Sequence, residues 1–368
     1  MRFLGYILLV LITLVSLPGV WLGVLAPYVN PNALVYPALA GLVFPAFAGL
    51  ALLAAIGWSM IKWSVAKWVW ILALPAALFL PRHFGFNYHK TASGSAEEFK
   101  VLTWNVRVFN KNIPDSTGRG ATFFRRDEMI NLIAESDADL ACFQEFYAEG
   151  ERKESDHLKR IQREAGLEHT HFHEFLRSGQ YRWGLVIASR YPILETGVVP
   201  FSKSGKHNGC TWADIDMPSG RTRVYNAHLQ SVFLNDEDLS VLDPIAGIGR
   251  EETQERASSM VGKLKTAYEF RAVQGQEMRE AIEACEWPVI VTGDFNDTPQ
   301  SFTYRNIRKG LNDAFGRAGR GFGRSHADLP FLRIDYVLPS PDFDVNRYEL
   351  IRNDASDHFP VLATLEKR

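Results

Sequence analysis

Between Arg2 and Lys62 the chain carries no charged side chain. A stretch that long and that apolar does not form the water-exposed part of a soluble domain, and its length invites comparison with a bilayer. It holds two uncharged runs, Phe3 to Leu25 and Ala33 to Gly57. Each exceeds the ~20 apolar residues that cross the hydrocarbon core as a helix. Pro27-Tyr28-Val29-Asn30-Pro31-Asn32 reads as a short turn between them. A third stretch, Trp68 to Leu80, reaches spanning length only if Lys67 snorkels and the helix begins near Trp63; otherwise it lies on the membrane surface. Trp58, Trp63, Trp68 and Trp70 cluster at that boundary, as interfacial aromatic belts do.

Charge is distributed accordingly. Residues 1–81 hold three of the 40 basic residues (Arg2, Lys62, Lys67) and none of the 42 acidic ones, leaving 37 basic and 42 acidic residues, net −5, for positions 82–368. This asymmetry excludes a plain soluble enzyme, a disordered chain and a basic architectural nucleic-acid binder. The expected organisation is a membrane module over 1–81 with about three helices, a linker over 82–98 and a globular domain over 99–368. Within the linker, residues 91–96 are small and polar. Arg2 before the first span and Lys62 with Lys67 in the second loop put the N-terminus in the cytoplasm and, with three spans, the globular domain outside it. Arg82 and Lys90 weaken that orientation, and two spans would reverse it. Val24-Leu25-Ala26 resembles a signal-peptide cleavage site, but Pro27 would follow the scissile bond and a second apolar run comes soon after, so an uncleaved span is expected. Cys142, Cys210 and Cys285 form no CxxC pair and read as small buried hydrophobes.

From Phe99 the chain alternates strand-like and helix-like segments. Strands are expected at 101–104, 139–143, 184–189, 223–229, 288–292, 334–338 and 361–365. A helix carries Phe123, Ile130, Ile133 and Ala134 on one face, and a long one runs roughly from Glu252 to Cys285. That pattern is an α/β domain with at least one large sheet.

Polar clusters sit where the strands stop: Trp104-Asn105-Val106, Gln144-Glu145, Asn226-Ala227-His228, Gly293-Asp294-Phe295-Asn296 and Ser356-Asp357-His358; Arg333-Ile334-Asp335 precedes a strand instead. Singly, each has a plain reading: Glu145 as a solvated strand end, His228 or His358 as a structural histidine, Asp294 as turn chemistry. Together they supply carboxylates, amides and two histidines without thiols, the hard-oxygen set that Mg²⁺ or Mn²⁺ prefers. Phosphoester hydrolysis needs a metal to neutralise phosphoryl oxygens, a base for water, and donors for the phosphate. All three inventories are present.

These residues resemble the endonuclease/exonuclease/phosphatase superfamily. The match lies in TWNV at 103–106, QE at 144–145, NAHL at 226–229, GDFN at 293–296, RIDYV at 333–337 and SDHFPV at 356–361, in the family's order. The resemblance implies a DNase I-like four-layer α/β/β/α sandwich preceded here by the transmembrane module. It implies Glu145 as the principal metal carboxylate, with Asn105 beside it and Asp357 next to the metal. It implies His358, paired with Asp335, as the group acting on water or at the scissile phosphate, with Asp294 as the competing candidate for orienting or deprotonating the nucleophile. Asn296 and His228 would be phosphate-binding donors, effective because charge accumulates on the phosphoryl oxygens in the transition state.

The substrate is less constrained: nucleic acid, nucleotide or phospholipid. The Cys-Asp-Arg element of inositol polyphosphate 5-phosphatases is replaced by Arg333-Ile334-Asp335. The acidic residue that apurinic endonucleases carry after the first-strand Asn is replaced by Val106 and Arg107. Secreted deoxyribonucleases are soluble and disulfide-bearing, whereas some sphingomyelinases of the superfamily are membrane-anchored. The layout resembles bacterial membrane proteins, so a bacterial inner membrane with the catalytic domain on the extracytoplasmic side is expected. A domain at −5 does not draw in polyanions through its bulk field. Arg119, Arg125, Arg126, Arg177 and Arg182 either rim the site or are ordinary surface. The alternating His169, His171 and His173 suggest a second metal site or, more plainly, one face of a strand. A catalytically silent binding module is the rival reading. Nothing in the sequence points to a protein partner.

Overall fold

The computed structural model describes residues 2–87, 98–110, 122–148, 157–179, 181–232, 250–327, 329 and 331–368. Its N-terminal part is helical: α1 (Arg2–Leu25), α2 (Tyr36–Leu42), α3 (Phe44–Ile61) and α4 (Trp63–Phe79), the last extended by a 3₁₀ turn to Arg82. Three helices are long and apolar enough to cross a membrane, over Phe3–Leu25, Phe44–Ile61 and Trp63–Arg82. The third starts at Trp63, the longer of the two expected extents. The second run is not one helix. It breaks at Val43 (φ −106°, ψ 19°), because Pro45 in the first turn of α3 has no N–H to give and its ring would strike the carbonyl four residues back.

These helices meet through small residues. Ala51, Ala54, Ala55 and Ala66 are fully buried, while Leu53, Leu74 and Leu78 are exposed. A Cβ on Gly19 or Gly23 would lie 2.4 Å from Phe47 or 2.5 Å from Phe44. Small residues inside and leucines outside reverse the pattern of a water-soluble bundle and match helices that pack in lipid.

The remainder is two facing sheets. The six-stranded sheet contains β2 (Glu98–Asn105), β3 (Leu140–Ala148), β4 (His169–Ser178), β5 (Tyr181–Ser189), β12 (Phe343–Leu350) and β13 (Val361–Lys367), in the order β12-β13-β2-β3-β5-β4. The five-stranded sheet contains β6 (Ile193–Val199), β7 (Gly209–Met217), β8 (Gly220–His228), β9 (Val289–Asp294) and β11 (Asp335–Pro339), in the order β11-β9-β8-β7-β6. Each is antiparallel except for one parallel central pair, β2 with β3 and β8 with β9.

Alternation along the strands sorts the core into layers. Val101, Cys142, Ile290 and Val337 fill the space between the sheets. Leu102, Trp104 and Phe143 face outward onto α5 (Thr122–Glu135) and α6 (His157–Ala165) through Met129, Ile133 and Ile161. On the other side Tyr225, Val291 and Tyr336 pack with Met278 and Ile282 of α7 (Arg250–Glu283) and Ile307 of α8 (Phe302–Arg308). The result is the expected α/β/β/α sandwich. Cys142 and Cys210 sit inside it unpaired, and burial pushes the Cys142 thiol up to about 12.

The helical module is docked on the sandwich. Gln300 donates to the Gly23 carbonyl at 2.9 Å, Arg82 to Gln300 Oε1 at 3.4 Å, and Arg333 to the Arg82 carbonyl at 3.0 Å. Part of the expected linker is itself a strand, β1 (Phe84–Phe86), paired antiparallel with β10 (Arg320–Phe322). Residues 91–96 lie outside the described residues.

Candidate active site

The C-terminal ends of the two parallel pairs carry the polar clusters, so facing the sheets brings those clusters together. On one sheet the register sets His228, Asp294 and Asp335 side by side: Asp294 is the partner of His228 across β8–β9 and of Asp335 across β9–β11. Gly293 permits this. Its φ is +125° and an added Cβ would sit 2.0 Å from the Ala227 carbonyl oxygen, so only glycine fits. The opposite sheet contributes Asn105, the last residue of β2, and Glu145. Between Phe143 and Phe146 the β3–β5 register shifts, and Glu145 stands at φ +49° in that irregularity. A bulge of this kind re-aims a side chain that regular alternation would send elsewhere.

Asp294 Oδ2 is the hub. Asn105 Nδ2 donates to it at 3.1 Å and also to Glu145 Oε1 at 3.1 Å. Asn296 Nδ2 lies 3.3 Å from it, and His228 Nε2 and His358 Nε2 lie at 3.7 and 3.8 Å. His358 is held from behind by Asp335, whose Oδ2 is 2.9 Å from Nδ1. Ser325 Oγ accepts from the Asp335 backbone N–H, and Trp104 Nε1 donates to the His358 carbonyl. His228 Nδ1 donates to the His207 carbonyl at 3.0 Å, leaving Nε2 buried without a partner, 3.6 Å from Glu145.

Electrostatics separates the two central titrating groups. Burial raises the Asp294 carboxyl to about 6; the His358 charge opposes this and Asp335 adds to it. For His358, burial alone would lower the imidazole, but the Asp335 and Asp294 charges reverse this and raise it to about 10. At neutral pH this favours an imidazolium beside a mostly ionised carboxylate.

All eight expected site residues gather at one end of the sandwich, with two differences of detail. Asn105 turns its amide nitrogen toward the carboxylates, and its Oδ1 accepts from the Arg107 backbone N–H at 3.0 Å. It therefore acts in this state as a clamp between Glu145 and Asp294. Asp357 faces outward from the hub: its Oδ2 is 3.2 Å from Arg107 Nε, and it groups with His326 and His358. His326 was not foreseen; its ring centroid is 4.9 Å from that of His358, and it sits in a loop with no periodic signal. Gln144 and Asn226, although inside the motifs, do not face the site. Gln144 donates to Asn226 Oδ1 at 2.7 Å, and Asn226 donates to the Phe143 and Val186 carbonyls, locking one sheet to the other.

The described arginines read as rim or surface each have a partner. Arg125 pairs with Asp354, Arg126 with Asp127 and Arg177 with Glu174, and Arg182 stacks on Phe172. Arg119 lies outside the described residues. His171 Nε2 is bonded to Thr211 Oγ1, and among the described residues neither group of three metal-capable side chains includes His169, His171 or His173.

The two metal-capable groups are Asp294–Asp335–His358 and His326–Asp357–His358. The first already spends Asp335 Oδ2 on His358 Nδ1. Glu145 offers a more open carboxylate, with its side chain one-third exposed (33%). Oxygen donors with imidazole and no thiol suit Mg²⁺ or Mn²⁺.

Comparison with known proteins agrees with this fold. The chain is 24% identical over 192 residues to a putative neutral sphingomyelinase of Drosophila melanogaster, covering 49% of this chain and 36% of that protein, so it spans about a third of the relative's length. Its fold is similar to an endonuclease/exonuclease/phosphatase family protein from Bacteroides thetaiotaomicron (19% identity, 76% of this chain, 100% of that chain, TM-score 0.50). It is similar also to one from Leptotrichia buccalis (16% identity, 73% and 99%, TM-score 0.50). The sequence profile of the endonuclease/exonuclease/phosphatase family matches residues 102–358, from the first core strand to the histidine held by Asp335, and the chain belongs to that family.

Proposed function

We propose that this protein is a membrane-anchored, divalent-metal-dependent phosphoesterase that hydrolyses a phosphodiester, or a phosphomonoester, by in-line attack of water. The observation that carries the reading is the convergence of two amides and two histidines on Asp294 Oδ2 from two separate sheets, with Glu145 joined to them through Asn105 and His228. A structural core would not gather so many groups that are costly to bury.

Glu145 would hold Mg²⁺ or Mn²⁺, with Asn105 completing the site after its amide turns. The ion, when bound, would neutralise charge on the phosphoryl oxygens. Asp357 lies at the edge of this arrangement with Arg107. Asp294 orients the attacking water and takes its proton, because its raised carboxyl is still mainly ionised at pH 7. His358, kept charged by Asp335, gives a proton to the leaving oxygen from Nε2. His228 Nε2 and Asn296 face the phosphate as positioning groups. Of the two candidates for the base, the electrostatics supports Asp294.

A phospholipid is the favoured substrate over nucleic acid or nucleotide. The net charge of −5 beyond residue 81, the three apolar helices docked beside the site and the similarity to a protein named a putative neutral sphingomyelinase all point that way. With three passes, Arg2 and the catalytic domain lie on opposite sides of the bilayer, and the charge pattern supports an extracytoplasmic domain in a bacterial inner membrane. The test uses the full chain in vesicles with Mg²⁺ or EDTA, assaying phospholipid head-group release beside nicking of supercoiled DNA. Metal-dependent turnover lost in His358→Ala supports the reading. Binding without turnover, equal in wild type and in Glu145→Ala, would instead establish a silent binding module.

A further inference from the structure

A cavity of about 410 Å³ opens where the helical module meets the sandwich, away from the residues that converge on Asp294. Its lining includes Arg82, Arg305, Arg308 and Lys309, and no carboxylate. Like charges are not gathered without cost: Arg82 and Arg308 are near enough for their charges to repel. Neutralising partners are few. Arg82 donates to the neutral Gln300, Arg305 lies over the Tyr28 ring at 4.7 Å, and Lys309 is 3.9 Å from Glu283 Oε1. Among the described residues, no carboxylate lies within ion-pair distance of Arg82, Arg305 or Arg308.

The cavity's position says what kind of anion fits. Arg82 ends the third apolar helix, and Tyr28 follows the end of the first by three residues. Leu78 and Leu80, just before Arg82, are 75% and 40% exposed. A cationic pocket therefore adjoins an apolar helix surface at the level where, with the helices in a bilayer, phosphate head groups lie. Guanidinium-lined pockets suit phosphate groups, which they bind through charge-assisted hydrogen bonds in matching fork geometry.

We propose that this cavity binds the head-group phosphate of an anionic phospholipid, its acyl chains lying along the last turns of α4. The guanidiniums of Arg305 and Arg308 supply charge-assisted donors that a zwitterionic lipid would satisfy less well, since its own ammonium is repelled. The inference rests on the membrane reading above and is independent of the catalytic one.

The test uses the full chain in detergent, titrated with phosphatidylglycerol, phosphatidylcholine or inorganic phosphate and read by native mass spectrometry. Wild type should retain phosphatidylglycerol in preference to phosphatidylcholine. Arg305→Ala with Arg308→Ala should weaken that retention about thirty-fold, about 2 kcal/mol, at ~1 kcal/mol per surface cation. The paired lysine substitutions should keep most of it. Equal retention of the two lipids by wild type, or undiminished phosphatidylglycerol binding by the double alanine variant, overturns the proposal. Displacement of the lipid by equimolar inorganic phosphate overturns the lipid source and leaves a soluble-phosphate site. Flotation of wild type and variants with phosphatidylcholine vesicles tests membrane insertion separately: a wild type that does not float refutes the anchor, whatever the pocket does.

Discussion

Asp335→Asn isolates the electrostatic core of the proposed mechanism. The substitution is isosteric, and the Ser325 contact to the Asp335 backbone N–H survives it. What disappears is a buried negative charge 2.9 Å from His358 Nδ1. At about 1.4 kcal/mol per pH unit, raising an imidazole from 6.5 to about 10 corresponds to roughly 5 kcal/mol in favour of the imidazolium. Burial works against that, so the neighbouring carboxylates must supply it, Asp335 most, then Asp294 and Asp357. With Asp335 neutral, burial regains its weight and the imidazolium is lost near or below neutrality. The wild-type rate should rise as Asp294 ionises through about 6 and fall only as His358 deprotonates near 10. In Asp335→Asn the alkaline limb should move down by two pH units or more. At pH 8 the rate on a phosphodiester with an alkoxide leaving group should drop about tenfold for each pH unit by which the imidazole now titrates below 8, up to the roughly 100-fold or more of a lost general acid. On bis(p-nitrophenyl) phosphate, whose leaving group needs no proton, the drop should be much smaller. Full pH–rate profiles of wild type and Asp335→Asn on both substrates decide it. An alkaline limb that stays in place, or equal losses on the two substrates, would refute the assignment of His358 as acid.

Glu145→Gln should abolish the thermal stabilisation that Mg²⁺ confers and reduce turnover at least 100-fold, seen by melting with and without EDTA; an unchanged Mg²⁺ response would remove Glu145 from the metal site. Gly293→Ala should lower stability by about 1–3 kcal/mol and misplace Asp294, since its Cβ would meet the Ala227 carbonyl at 2.0 Å; a melting temperature and turnover equal to wild type would contradict the close approach. His83, buried against Phe44 with its imidazole lowered to about 3 by burial and by Arg333 and Arg82, binds its proton more readily in the unfolded chain. Its contribution is therefore complete above pH 6.5 and is lost, by up to about 1.4 kcal/mol per pH unit, as pH falls toward 3. His83→Phe should flatten that acid slope in denaturant titrations; an unaltered slope would assign it to other groups.

How far these features could be read in the sequence depends on which interactions create them. Strands buried on both faces, such as Val289–Asp294, announce themselves as apolar runs, and the motifs at their ends follow because the chain must turn there. The edge strand Ile193–Val199 was not foreseen, and His169–Ser178 only through its alternating histidines, because half-exposed strands mix polar and apolar residues without a sustained alternation. The break at Val43 was legible in Pro45 and was overridden by hydropathy, which counts apolar residues and is blind to a missing N–H. Asn226 shares a motif and a strand face with His228 but sits two residues deeper, where the facing sheet offers carbonyls and no solvent; its amide is consumed in joining the sheets. His326 was invisible for another reason. Its place beside His358 comes from a loop folded back across the site, a long-range contact with no local period.

The segment that follows Asn296 connects the two halves of the molecule. Asp297 is paired with Arg271 of α7 at 3.4 Å, Thr298 Oγ1 lies 3.4 Å from the Gly41 carbonyl, and Gln300 caps the Gly23 carbonyl in the last turn of α1. Carbonyls in the final turn of a helix have no partner within that helix, and here Gln300, from the loop after β9, supplies one to Gly23 beside the Ala26 N–H. Gly41 allows the approach, since a Cβ there would stand 2.6 Å from the Gln300 carbonyl oxygen. A flexible tether needs none of this. A rigid joint built on the loop that carries Asp294 and Asn296 fixes the site relative to the helix ends. An enzyme drawing its substrate from the same bilayer gains from that arrangement, because the scissile phosphate lies at a set height above the hydrocarbon. For a soluble substrate arriving from any direction, a fixed orientation confers nothing, and the hydrogen bonds and glycine contacts of the joint would then serve stability alone.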